Sequence, residues 1–378
     1  MAKVDKHKPE WVPKKGGKEF ASDVLAGVPG GHDGMKRQKA IPAGNKVSRR
    51  KKLSVEQYVQ GVMESDRIIL ARTITLIESN ARHHLETAQE VLKEILPHTG
   101  KAIRVGITGV PGAGKSTFID ALGQLLCQKG HKVAVLAVDP SSSLSRGSIM
   151  GDKTRMEGLS QEPNCFIRPS PSGGTLGGVS RKTRETMLVC EAAGFDVILV
   201  ETVGVGQSES MVSTMVDFFL LLALTGAGDE LQNIKKGVIE MADAILINKA
   251  DGDNKLAAER AKVEFNQALH YLTSLTEDWE TFAYTCSALT GAGINEIWEV
   301  ITRFTEKIRA SGAFEKRRQA QALSWMNEMI VEQIKVGFFN HPSITTMLPK
   351  IEREVKEGVL PVTAGVDLLL QAFNKSED

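Results

Sequence analysis

Residues 103–117 read IRVGITGVPGAGKST, and the segment GVPGAGKS from Gly109 to Ser116 satisfies the phosphate-binding pattern GxxxxGK[ST] at every position. Gly109 and Gly114 bound a loop, with Val110, Pro111, Gly112 and Ala113 between them, whose N–H groups can turn inward on phosphate oxygens. An anion held there also faces the positive end of the helix that follows. Lys115 is expected to reach the β- and γ-phosphates, and Ser116, followed by Thr117, to place a hydroxyl on a magnesium ion, which prefers oxygen ligands. The flanks agree. IRVGIT is a short apolar, β-branched run that reads as a strand, and STFIDALGQLLCQKG spaces its apolar residues as a helix does and ends at Gly130.

The chain has 378 residues, 42% of them hydrophobic and 25% charged, which is ordinary for a globular protein and enough to bury a large core. Its net charge of +1 is unevenly distributed: residues 1–53 carry fourteen Lys and Arg against five Asp and Glu, leaving the remainder about −8. A mildly acidic body argues against nucleic acid as a partner. The four cysteines are scattered with no CxxC pair, so neither a disulfide framework nor a zinc ribbon is suggested. No apolar run approaches 18 residues, and FFLLLAL at Phe218–Leu224 suits a buried strand, so no membrane association is expected. The tail is too polar to offset the entropy of ordering it and reads as disordered. As a mitochondrial transit peptide it is poor, because Asp5, Glu10 and Glu19 sit where such peptides avoid acids; a cytoplasmic protein with a solvated tail is the reading adopted.

From Leu53 to Leu96 the pattern is helical, LSVEQYVQGVMESDRIILARTITLIES and then HHLETAQEVLKEIL, so two helices are expected before Pro97. The adjacent His83 and His84 point in different directions on such a helix and read as exposed residues, not as a metal pair. A second buried strand, Val133–Val138, ends in Asp139, where an acid at a strand's carboxyl end is well placed for a metal or its waters. Gly151–Arg155, which includes Asp152, is a polar loop able to cover phosphates; Pro169–Ser180 is a glycine-serine loop before a helix beginning near Arg181. A third strand, Phe195 to Glu201, delivers a carboxylate and is followed by TVGVGQSE. There Glu201 can hold a magnesium-bound water, Gly204 can sense the γ-phosphate through its N–H, and Gln207 is placed to orient an attacking water.

After Phe218–Leu224, the strand AILIN ends in Asn248, Lys249, Ala250 and Asp251, which matches NKxD. The Asp251 carboxylate can accept from the ring N–H and exocyclic amine of guanine, an arrangement adenine lacks, so the nucleotide is expected to be GTP or GDP. Asn248 would fix the loop and bond the base while the Lys249 stem packs on its face. A final strand, FAYTC, leads to Ser287 and Ala288, where a backbone N–H can meet the guanine carbonyl.

The segments GITGVPGAGKST, VLAVDPSSS, GDKTRM, PSPSGGTLGGVS, ETVGVGQSE, GAGDELQNIKKG and NKAD, in this order, resemble the MeaB/MMAA/ArgK family of P-loop GTPases from about residue 55 to the C-terminus. The resemblance implies a chaperone that gates cofactor loading into adenosylcobalamin-dependent acyl-CoA mutases such as methylmalonyl-CoA mutase and protects them from inactivation. It implies magnesium contacts, direct or through water, for Ser116, Asp139, Asp152 and Glu201, and switch loops around Asp152, at Glu201–Glu209 and at Gly226–Lys236. Asp229 and Lys235 in the last of these look similar to residues that couple nucleotide state to the mutase.

From Ser311 the chain again reads helical, with a turn at His341 and Pro342, and the resemblance implies that these helices build a homodimer. The fold expected is α/β: a P-loop NTPase with a mainly parallel central sheet flanked by helices, plus helical extensions at both ends. Its divisions are a basic tail (1–53), an N-terminal helical segment (54–98), the GTPase domain (99–310) and a C-terminal dimerisation segment (311–378). Two other functions share this site chemistry. A kinase linked to amino-acid transport would need a base beside an acceptor hydroxyl, for which no dedicated motif is found. A metallocentre-assembly GTPase would carry a histidine-rich or cysteine-bearing tract, and the eight histidines form none.

Overall fold

The computed structural model describes residues 53–138, 156–169, 176–202, 208–225, 236–272 and 274–374. Its frame is a seven-stranded parallel sheet in the order β3-β2-β4-β1-β5-β6-β7. The strands are β1 (Ile103–Gly109), β2 (Val133–Val138), β3 (Cys165–Arg168), β4 (Val197–Thr202), β5 (Phe218–Ala223), β6 (Ala244–Ile247) and β7 (Ala283–Thr285). Parallel sheets are covered on both faces, so their strands read as continuous apolar runs. In β5 the period of two then decides only which core each side chain enters: Phe218, Leu220 and Leu222 go to one layer, Phe219, Leu221 and Ala223 to the other.

On the first layer lie α4 (Lys115–Gln128) and α10 (Ile294–Ala310), whose Phe118, Ile119, Leu122, Ile301 and Phe304 are fully buried. Each such side chain contributes about 1.5–3 kcal/mol of burial. The opposite layer is built by three N-terminal helices, α1 (Val55–Met63), α2 (Arg67–Glu78) and α3 (Arg82–Ile95), together with α6 (Leu176–Ala192) and α7 (Ser208–Ser213). The short α5 (Glu157–Ser160) precedes β3; α8 (Lys236–Met241) precedes β6, and α9 (Lys255–Leu269) precedes β7. The chain closes with α11 (Ala313–Asn340), α12 (Pro342–Lys356) and α13 (Val362–Asn374).

Several sequence expectations change here. Among the described residues three α-helices, not two, precede β1: Ser65 takes a left-handed φ of 58°, and the Asp66 carboxylate caps a new helix by accepting from the N–H groups of Ile68 and Ile69 at 2.8 and 3.0 Å. The helix expected near Arg181 starts earlier, at Leu176. The last apolar run is two helices, because Gly358 at φ 71° ends α12 and Pro361 leads into α13. β3 was not foreseen; it is an edge strand, and α2 guards it, with Glu78 paired to Arg168 and Arg67 donating to the carbonyl of Cys165. His83 is exposed, but His84 is half-buried, with Nδ1 2.8 Å from Ser79 Oγ and its ring centre 4.1 Å from that of His83, so the expectation of two exposed, diverging residues holds only for His83. Among the described residues no helix is long and apolar enough to cross a membrane.

Candidate active site: a phosphate loop tied to a base-reading loop

β1 is the middle strand, and the loop from Gly109 to Gly114 leaves its carboxyl end and enters α4. Gly109 has φ 152° and lies so close to β5 that a Cβ would strike the Leu222 carbonyl. Gly114, at φ 84°, is the residue before α4, and a Cβ there would come within 2.7 Å of Asn248 Nδ2. Only glycine fits either position. Ala113 is fully buried under the loop, while Pro111 and Gly112 are exposed at its crest. Lys115 curls over the loop and donates from Nζ to the carbonyls of Gly109 (2.8 Å) and Val110 (3.2 Å). Its burial lowers the ammonium's pKa, an effect opposed by the charges of Glu201 and Glu209.

Beside the loop, β4 pairs with β1 in a register that sets Glu201 opposite Ile107. Glu201 is buried, and its Oε1 accepts from Ser116 Oγ at 2.7 Å, which brings a hydroxyl and a carboxylate together at the start of α4. Behind them the hydroxyls of Thr202 and Thr108 bond at 2.9 Å, a buried brace between β4 and β1 that sequence reasoning missed because both residues read as ordinary strand positions. Among the described residues no three His, Cys, Asp or Glu converge as a metal cluster. Asp139, Asp152, Gly204, Gln207, Asp229 and Lys235 lie outside the described residues.

On the other side of β5, β6 carries Asn248, Lys249 and Asp251 at its carboxyl end. Asn248 is buried: Nδ2 donates to the Ala113 carbonyl at 2.8 Å, and Oδ1 accepts from the Ala288 N–H at 3.1 Å and from Cys286 Sγ at 3.4 Å. The Ala288 amide is thus the partner of Asn248. Lys249 adopts a left-handed φ of 61°, held because Asn254 Nδ2 donates to its carbonyl at 2.7 Å. Asn254 escaped the sequence reading, although it stands only three residues past Asp251 in a DGDN turn. Asp251 accepts a hydrogen bond from Ser287 Oγ, which orients its carboxylate. The two loops leave the carboxyl ends of β1 and β6 on the same side of the sheet, one lined by backbone and Lys115 and the other carrying the Asp251 carboxylate.

This fold and this site together define a P-loop GTPase, an enzyme that hydrolyses GTP. The sequence profile described as "Methylmalonyl Co-A mutase-associated GTPase MeaB" matches residues 70–343, and the chain belongs to that family. It is 52% identical over 321 residues to a putative GTPase of Caulobacter vibrioides, covering 85% of this chain and 98% of the relative. It is 44% identical to the mitochondrial methylmalonic aciduria type A homolog of Mus musculus, over 90% of this chain and 86% of that one. GTPase ArgK of Escherichia coli is also 44% identical, over 83% and 95% of the two chains. A crystal structure described as LAO/AO transport system kinase superposes with a TM-score of 0.68 at 38% identity, covering 85% of this chain and 97% of that one.

Proposed function

We propose that this GTPase is the nucleotide-driven chaperone of an adenosylcobalamin-dependent acyl-CoA mutase, methylmalonyl-CoA mutase before others, gating cofactor loading and protecting the mutase from inactivation. The observation that carries the reading is the match of the family profile across residues 70–343, supported by relatives spanning nearly the whole folded chain. In this reading the loop Gly109–Thr117 wraps the phosphates, Lys115 turns from its carbonyl partners to the β- and γ-phosphates, and Asp251 selects guanine, oriented by Ser287. Asn248 acts as the strut that keeps both loops in register, and Lys249 covers the base.

The hydroxyl of Ser116 and carboxylate of Glu201 are a hard, oxygen-only pair that fits a magnesium ion, with Asp139 and Asp152 assigned to the same shell. Magnesium supplies charge neutralisation between the phosphates. Gly204 and Gln207 are assigned to γ-phosphate sensing and water orientation, and Asp229 and Lys235 to coupling with the mutase. Segment 311–378 is assigned to homodimerisation: Leu323, Ile330 and Ile334 of α11 and Val362 and Val366 of α13 are exposed apolar residues in the described part of it.

The test is the GTP hydrolysis rate of the full chain, alone and with a candidate mutase, with Lys115→Ala as control. Acceleration by methylmalonyl-CoA mutase is expected. Slow hydrolysis indifferent to every acyl-CoA mutase tried would overturn the chaperone assignment while leaving the GTPase intact.

A further inference from the structure

One stripe of α11 follows the segment Thr214–Asp217, which joins α7 to β5. Arg318, Gln321 and Trp325 are spaced by three and four residues and so share a face of the helix. Arg318 donates from Nε to Asp217 Oδ1 at 2.8 Å and from Nη2 to Oδ2 at 2.7 Å. Gln321 Nε2 donates to the Val216 carbonyl at 2.8 Å. One turn further, the Arg184 guanidinium of α6 stands 5.6 Å from the centre of the Trp325 ring and donates from Nη2 to Thr214 Oγ1 at 2.9 Å. The helix therefore touches 217, 216 and, through Arg184, 214 in succession.

The two ends of this stripe differ in kind. Arg318 has two carboxylates, Asp217 at 2.7 Å and Glu191 at 3.8 Å, both nearly inaccessible to solvent. Arg184 is only 6% exposed, yet among the described residues it has no carboxylate within ion-pair distance and its Nε has no hydrogen-bond partner. Burial pushes its pKa down to about 10, with Glu328 as the opposing charge and Arg104 as a reinforcing one. The Nε1–H of Trp325 and the hydroxyl of Ser180 also lack hydrogen-bond partners among the described residues, and the two residues line a cavity of about 500 Å3. α11 is thus anchored by ion pairs at Arg318 and contacted at Trp325 by a guanidinium without a carboxylate.

The other side of the same segment rests on the strand that enters the phosphate loop. Gly106 of β1 has no side chain, and a Cβ there would meet Val212 and Val216 at 2.9 Å, so α7 and its exit lie directly on β1. Three residues later β1 becomes the loop at Gly109. Past Trp325, α11 carries the exposed residues Met326, Ile330, Val331 and Ile334.

We propose that Arg184 is a positioning residue, tying Thr214 to Trp325 so that a shift of Val212–Thr214 against β1, with Asp217 held by Arg318, changes the pose of α11 beyond Trp325. The nucleotide state is then read out on the apolar stretch Met326–Ile334. The inference rests on the reading of this protein as a nucleotide switch, but its test needs no mutase, so the two fail separately.

The experiment is hydrogen–deuterium exchange of the full chain loaded with GDP or with a non-hydrolysable GTP analogue. Peptides covering 321–334 are expected to exchange at different rates in the two states. Thr214→Val removes the hydroxyl at nearly constant shape, and Arg184→Met keeps much of the stem but removes the guanidinium. Each is expected to abolish that difference while affinity for a fluorescent GDP stays that of the parent chain. Should Arg184→Met fail to fold, Thr214→Val decides alone. No nucleotide-dependent difference in the parent chain, or a difference that survives Thr214→Val, overturns the proposal.

Discussion

Asn248 Nδ2 lies 2.8 Å from the carbonyl oxygen of Ala113, and this hydrogen bond joins the base-reading loop to the floor of the phosphate loop across β5. Removing the amide by Asn248→Ala leaves a buried carbonyl and the Ala288 N–H without their partner. A loss of roughly 1–3 kcal/mol is expected in urea unfolding, with weaker binding of both GDP and GTP. Parent-like stability and affinity would mean that the two loops hold their register without the strut.

Glu201→Gln keeps the size of the side chain and an oxygen for Ser116 but removes the charge. The magnesium concentration that half-saturates GTP hydrolysis is expected to rise about 10–100-fold, the usual effect of losing a carboxylate around a metal. An unaltered magnesium dependence would take Glu201 out of the metal's surroundings.

Arg318 serves Asp217 and Glu191, whose side chains are 1% exposed, and also donates to the carbonyls of Gly100 and Ala102. Arg318→Met leaves the buried Asp217 carboxylate without a cation, while Glu191 keeps Arg104 at 2.7 Å. A destabilisation of about 3–5 kcal/mol is expected in equilibrium unfolding. A change well under this would show that water reaches Asp217.

Burial raises the Glu185 carboxyl to about 7, against the pull of Arg181 and Lys182. A carboxyl whose folded pKa lies above its unfolded value of 4.5 binds its proton more tightly in the native state, so stability is fully present below 4.5 and falls as pH rises toward 7. Glu185→Gln removes that slope. Relative to the variant, the parent chain is expected to lose about 2 kcal/mol between pH 4.5 and 8, a figure discounted for the group's partial exposure and its Arg181 pair. Parallel stability profiles for the two proteins across that range would show that Glu185 keeps an ordinary pKa.

The sheet and both nucleotide loops were legible because their signals are local. An apolar run followed by GVPGAGKS, and another followed by NKAD, each combine a strand with a loop whose chemistry is written in consecutive residues. What escaped depends on distant pairing. CFIR gave no strand signal: it is short and lies at the sheet edge, where β2 and α2 support it. The break at Ser65 was hidden by apolar spacing that runs on through both helices. The Thr108–Thr202 brace and the Arg184–Trp325 contact join residues far apart in sequence, and no periodicity announces such pairs.

β5 contributes none of the assigned nucleotide ligands, yet it stands between β1, which leads into the Gly109–Gly114 loop, and β6, which leads to Asp251. It works as a gauge block. The two loops are spaced by this one intervening strand, and the backbone ladders β1–β5 and β5–β6 set that spacing.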